Sequence, residues 1–299
     1  MAAEPTSAVT PIAALSPQLR QRERRTRLTG LMLMSPAVLL VALFLFLPLV
    51  FILRMSVTEG NSFLSPGGPV FTLQNYVAMA GRYVPNLLIT IELAALAMVV
   101  DLIFGVPFAY ILVRKVRYRG VVRAFMVFPM FGALYIAFGL GFLFLPGGPA
   151  APLLAFLGIP STSALYGLPS TVFAMAIFTF PFMVMNVGAA LSNVDPTLEE
   201  AAACLGARPW QTFRRVLLPL TRSGILAGML MVFGWNLGAF AEPLLLGGIN
   251  EQRTLALTIY QRGVVQSDYG LASAMSVVLL VLAVVVSYVS LRYSRNALV

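Results

Sequence analysis

Six apolar stretches, at about residues 31–53, 86–113, 122–145, 169–192, 221–246 and 270–291, constrain this chain more than any other feature. Each is long enough to cross the roughly 30 Å hydrocarbon core of a bilayer as a helix. In lipid a span must satisfy its own backbone N–H and C=O groups, and separate stretches of these lengths do so only as helices. At 59% hydrophobic residues, 10% charged residues and a mean hydropathy of +0.89, a soluble core of 299 residues could not hide the apolar surface. The expected fold is an all-α membrane protein with six transmembrane helices.

The basic residues give the spans a direction. Arg20, Arg22, Arg24, Arg25 and Arg27 precede the first span, and Arg114, Lys115, Arg117, Arg119 and Arg123 follow the second. Arg208, Arg214, Arg215 and Arg222 lie between the fourth and fifth, and Arg292 and Arg295 follow the sixth. If both termini are cytoplasmic, these sixteen of the twenty bases are inside, and only Arg54, Arg82, Arg253 and Arg262 fall elsewhere. The net charge of +9 therefore encodes orientation in short clusters at span ends, and nucleic-acid binding does not follow from it. Residues 1–29 read as a mobile basic cytoplasmic tail, rich at first in Ala, Pro, Ser and Thr, and residues 30–299 as the membrane domain. The first span contains Pro36 and Pro48, has no small-residue cleavage site after it, and is read as uncleaved. A short surface helix is expected within 150–168.

Residues 193–220, between spans four and five, are polar, small and punctuated. Asp195 is a good N-cap, Pro196 suits a first helical position, and Glu199 and Glu200 sit early, where the helix dipole favours acids. Ala201, Ala202 and Ala203 propagate the helix, and Gly206 can enter the left-handed region that ends it. Pro209 opens a second short helix that must stop before Pro219. The result is a cytoplasmic helix-turn-helix whose Ala and Gly positions admit close approach by another backbone.

The pattern Glu200-Ala201-Ala202, three residues, Gly206, nine residues, then Val216-Leu217-Leu218-Pro219 resembles the coupling loop of binding-protein-dependent ABC importer permeases, with Val216 in place of the usual Ile. Similarity to that family runs over most of residues 31–295 and includes Phe71-Thr72-Leu73-Gln74-Asn75-Tyr76 and Gly105-Val106-Pro107-Phe108-Ala109-Tyr110. Pro181-Phe182-Met183-Val184-Met185 and Gln211-Thr212-Phe213 look most like the spermidine/putrescine-type members. The resemblance implies a non-catalytic subunit in the bacterial inner membrane. It would work with two ATP-binding subunits that carry ATP and Mg, a second permease, most simply a related one, and an extracytoplasmic solute-binding protein. It assigns Glu199, Glu200, Ala201, Ala202, Gly206, Leu218 and Pro219 to ATPase coupling. No Gly-x-x-x-x-Gly-Lys-Ser/Thr phosphate loop occurs in the chain, so ATP hydrolysis by that route needs a partner.

A solute path has fewer markers. Glu92, Asp101 and Glu242 fall inside predicted spans, where a charge costs ~2.5–3.5 kcal/mol on insertion scales and should face protein or water. One reading is a path for a cation such as a polyamine, with Trp235 and Asn236 adding polar and aromatic surface. The other is helix packing for Asp101 and interfacial positions for Glu92 and Glu242. The resemblance also extends to permeases for aminoalkylphosphonates and ferric iron. Gly228, Gly234 and Gly238 read as close helix-packing positions. The chain has no histidine and one cysteine, Cys204, which leaves His-ligated metal sites, Ser-His-Asp triads and internal disulfides out of account. A secondary transporter or channel would share the spans and the acids but has no use for an ATPase-docking loop.

The basic-residue split predicts that, in a Cys204→Ala background, a single cysteine at Gln252 reacts with an impermeant thiol reagent from outside intact cells. One at Ser294 should not react, and labelling there would overturn the ends-inside arrangement.

Overall fold

The structure, a computed structural model, describes residues 17–60, 68–158, 160, 167–247 and 253–296. Among them it is helical throughout, apart from turns and one isolated bridge between Thr58 and Phe71. The chain divides into two units at Phe51/Ile52. The first is, in its described part, the body of helix α1 (Pro17–Ser56), which takes in the arginines of the predicted tail and the first span without a break. The expected mobile segment is thus helical from Pro17, and residues 1–16 lie outside the described residues.

The second unit is the bundle. Helix α2 (Gln74–Ala78) leads through a π-helical turn, Met79–Tyr83, into α3 (Val84–Arg114). Then come α4 (Arg119–Val127), α5 (Ala133–Phe144) and the short α6 (Ala151–Phe156). Helix α7 (Leu168–Ser192) is followed by α8 (Thr197–Cys204), α9 (Pro209–Leu220) and α10 (Arg222–Leu237). Helices α11 (Ala241–Leu246), α12 (Leu255–Tyr260) and α13 (Tyr269–Asn296) complete it.

Four helical segments are long and apolar enough to cross a membrane unaided: parts of α1 and α13, all of α7, and the continuous run from α2 through α3. The third and fifth expected spans differ from straight helices. The third bends by 90° at Gly132, between Gly120–Phe131 and Ala133–Phe144. Pro129 in a 3₁₀ turn, with the extended backbone of Gly132 after it, interrupts the helical ladder there. The fifth ends at Leu237, and residues 238–240 separate it from α11, so the predicted helix over 221–246 is two pieces. With α4 and α5 counted as one bent span, and α9 with α10, bent by 72° between Pro209–Leu220 and Arg222–Leu237, as another, the total reaches six.

Helix α7 is the centre of the bundle. It packs most extensively on α3 and next on α10, and its residues Met183, Val184, Val187 and Leu191 are almost fully buried. They share one core with Val106, Ala109, Leu112 and Val113 of α3 and Ile225 and Val232 of α10. Two glycines let α10 come this close. A Cβ on Gly224 would strike the Ala190 side chain and the Asn186 carbonyl, and one on Gly228 would lie 2.8 Å from the Met183 sulfur. Gly228 is thus a packing glycine, as its sequence position suggests, whereas Gly234 has nothing within 4 Å of an added Cβ.

Gly224→Val should therefore force the helices apart and destabilise the bundle by ~1–3 kcal/mol. Gly234→Ala should be neutral or slightly stabilising. Thermal unfolding of the detergent-purified chain, followed by fluorescence, compares the two.

Candidate coupling site

The segment between α7 and α10 is fixed by local hydrogen bonds before any tertiary contact is made. The Asp195 carboxylate accepts from the Thr197 N–H at 2.9 Å and so caps the start of α8. That bond, with the Thr197 hydroxyl, holds the Asp195 carboxyl below the usual carboxylate range. The stabilising effect of this cap is present at neutral pH and is lost as pH falls through that lowered value. At the other end, the Gly206 N–H donates to the Ala203 carbonyl at 2.9 Å and the Ala207 N–H to the Ala202 carbonyl at 3.0 Å. These are the paired bonds of a Schellman ending, and Gly206 carries the φ of +80° that it requires. Helix α9 then begins at Pro209, with the Gln211 side chain accepting from the Arg208 N–H at 2.8 Å. Contrary to the expected stop before Pro219, it runs on to Leu220, because the π-helical turn Phe213–Leu217 resets the ladder and leaves Pro219 in the first turn of the final stretch.

The second helix is rooted in the bundle. Phe213 and Leu217, on a π-helical turn within α9, belong to the same buried core as α3, α7 and α10. Phe213 also lies against Trp210, 5.6 Å between ring centroids, and Tyr110 of α3, at 5.4 Å. Facing away from that core, Glu200, Ala201, Gly206, Leu218 and Pro219 are exposed, and Ala202 is half-buried. Leu205 at 88% and Trp210 at 65% are the most exposed large apolar side chains of the segment.

The two adjacent glutamates part company. Glu200 is open to solvent, whereas Glu199 turns inward, its Oε1 2.7 Å from Arg114 Nε at the end of α3. It is an ion pair by distance, since the N–H points off the line to that oxygen. Arg114 also donates from Nη2 to the Val194 carbonyl at 2.7 Å, and Tyr110 donates its hydroxyl to Glu199 Oε2 at 3.4 Å. In the sequence Arg114 reads only as an orientation charge. Its partner is 85 positions away, and no local spacing signals the pair.

The five path candidates are not brought into one site. Asp101 is wholly buried and accepts from the Thr179 hydroxyl at 2.7 Å, and Asn236 donates to that same hydroxyl oxygen at 3.2 Å. These residues tie α3, α7 and α10 together at mid-bundle. Thr179 was readable only as a polar residue within an apolar span. Glu242 is buried in α11, Glu92 is exposed on α3, and Trp235 is 52% exposed and packed on Phe178 and Phe182.

The sequence profile of the family described as "Binding-protein-dependent transport system inner membrane component" matches residues 12–297. The chain belongs to this family. It is an ABC importer permease subunit and a multi-pass protein of the inner membrane. The permease is 31% identical over 218 residues to the spermidine/putrescine transport system permease protein PotB of Escherichia coli, covering 70% of this chain and 77% of that one. It is 32% identical over 179 residues to the molybdenum transport system permease protein ModB of Azotobacter vinelandii, covering 58% and 77%. Among solved structures, a bacterial ABC transporter involved in the import of alginate shares the fold at a TM-score of 0.73 and 20% identity. That likeness covers 93% of this permease and 99% of the other chain.

Asp101→Ala should remove the acceptor that joins Thr179 to α3 and cost ~1–3 kcal/mol, seen as a lower unfolding temperature of the purified permease. Asp101→Asn keeps the volume and a hydrogen-bonding group and should lie close to the parent.

Proposed function

We propose that this permease forms half of the translocation pathway of an ATP-driven importer, and that the exposed face of α8, Gly206 and the start of α9 is where a separate ATPase subunit docks. The observation that carries this is the segment's two-sided construction. Its outer side offers small residues, a left-handed helix end and two uncovered apolar side chains, while its inner side shares the buried core of the spans through Phe213 and Leu217. A body seated on the outer side would be mechanically joined to the bundle. In this reading Glu200, Ala201, Ala202 and Gly206 meet the ATPase, and Leu218 and Pro219 set the elbow into α10. ATP and Mg are held by the two ATPase subunits. A second, related permease supplies the other half of the path, and an extracytoplasmic binding protein delivers the solute. Both termini are cytoplasmic.

For the solute, a polyamine-type cation is supported by the likeness to PotB and by the acids placed in the spans. Of the candidates, Glu92 and Trp235 are proposed to face the path, with Glu242 near its outer end and Asp101 and Asn236 holding its wall. A second reading, a small oxyanion, draws on the likeness to ModB and on the outer arginines. Arg82 and Arg262 both lie over the Tyr83 ring, at 5.9 and 5.5 Å from its centroid.

The docking reading is tested by Gly206→Val. An added Cβ meets nothing within 4 Å there, so the backbone alone resists the change, by ~1–2 kcal/mol. Uptake by the assembled transporter should fall by about tenfold or more, with the permease still in the membrane. Normal uptake and normal ATP hydrolysis in both Gly206→Val and Glu200→Ala would remove the segment from coupling. Comparing spermidine with molybdate as stimulants of ATP hydrolysis by the complete transporter in proteoliposomes separates the two solute readings.

A further inference from the structure

Glu199 and Glu200 are neighbours in the docking helix, yet only Glu200 faces outward. The Glu199 side chain is 20% exposed and its Arg114 partner 15%, and theirs is the one salt bridge found among the described residues. Arg114 closes the last turn of α3 and uses its guanidinium as a fork. Nε lies 2.7 Å from the Glu199 carboxylate in α8 as an ion pair, and Nη2 donates to the carbonyl of Val194, which leads into α8 from α7. Tyr110, one turn earlier on α3, reaches the second Glu199 oxygen and lies against Phe213 of α9 with its ring tilted. Among the described residues, Arg114 and Tyr110 join the end of α3 to the docking segment, and they touch both of its helices. Small docking residues on one side and a charged fork on the other divide the labour along a single two-turn helix.

We propose that Arg114 and Glu199 form the joint through which displacement of the docking helix is passed into α3, with Tyr110 as its second contact, and that Glu199 is a positioning residue that does not touch the ATPase. The inference rests on the docking reading above. Helix α8 is only eight residues long and is set off by turns at Asn193–Pro196 and at Gly206, so its side-chain contacts are what join it to α3. A half-buried ion pair braced by a second hydrogen bond resists both sliding and separation. From α3 the displacement reaches α7 and α10 through Asp101, Thr179 and Asn236, whose hydrogen bonds link the same three helices higher in the bundle.

The test uses the complete transporter, with Cys204→Ala and a bimane fluorophore on Leu88→Cys, an exposed position near the outer end of α3. Adding Mg-ATP and vanadate should shift the emission. Arg114→Glu and Glu199→Arg should each abolish the shift while the ATPase subunits stay bound, and the double exchange should restore at least half of it. Arg114→Lys, which keeps the charge but not the fork, should give an intermediate shift, and with Glu199→Gln it serves if the reversals do not assemble. Four results would overturn the joint: single reversals that respond like the parent, a double exchange that restores nothing, an unmodified α3 that does not respond, or single variants that release the ATPase subunits. The last would place Glu199 on the docking surface. If the unmodified permease binds no ATP-hydrolysing subunit at all, the docking reading fails, and the joint falls with it.

Discussion

Bringing two apolar helices together in a bilayer yields little hydrophobic gain, because lipid tails cover their surfaces equally well, so α3, α7 and α10 must be held by close packing and by polar contacts. Both are present on α7. Gly224 and Gly228 allow α10 to approach until its backbone meets the side chains of Ala190 and Met183, and small residues such as Ala97 and Ala109 keep side-chain bulk low on α3. Thr179 gathers Asp101 from one neighbour and Asn236 from the other. These contacts make the three helices one packed unit, to which the segment between α7 and α10 is joined.

The segment continues that unit out of the membrane. Val194, Phe213 and Leu217 complete the core begun by Val106, Ala109 and Val187, so α9 is embedded on one side and open on the other. The hinge at Gly206 lies between the helix that faces outward and the helix rooted inward. A residue with a Cβ would disfavour the left-handed turn, and the two helices would lose their fixed relation. The segment is held by hydrogen bonds at its helix ends, by the Arg114–Glu199 ion pair and by the buried side chains of Phe213 and Leu217.

The relatives of this chain carry names that cite quite different solutes: spermidine and putrescine, molybdenum, and ferric iron. A shared architecture therefore leaves open what is carried.

The sequence by itself determined whatever depends on local chemistry. Hydropathy required helices in lipid, and Asp195, the alanines, Gly206 and Pro209 dictated where α8 starts and stops and where α9 starts, whereas the stop read at Pro219 did not hold, since α9 runs to Leu220. These follow from backbone hydrogen bonding and steric preference over a few residues, and can be read along the chain. The bend at Gly132 and the break after Leu237 were less legible, because apolar composition continues across both and only the packing shows where the helix yields. Tertiary structure alone decided which acid does what. Asp101, Glu92 and Glu242 look alike as carboxylates in apolar spans, yet one is locked to Thr179, one is exposed and one is buried in a separate short helix. Glu199 and Glu200 are adjacent and chemically identical, and the 100° between successive residues of a helix turns one toward Arg114 and the other toward solvent. A side chain's role follows from what faces it, and what faces it comes from residues far away in the chain.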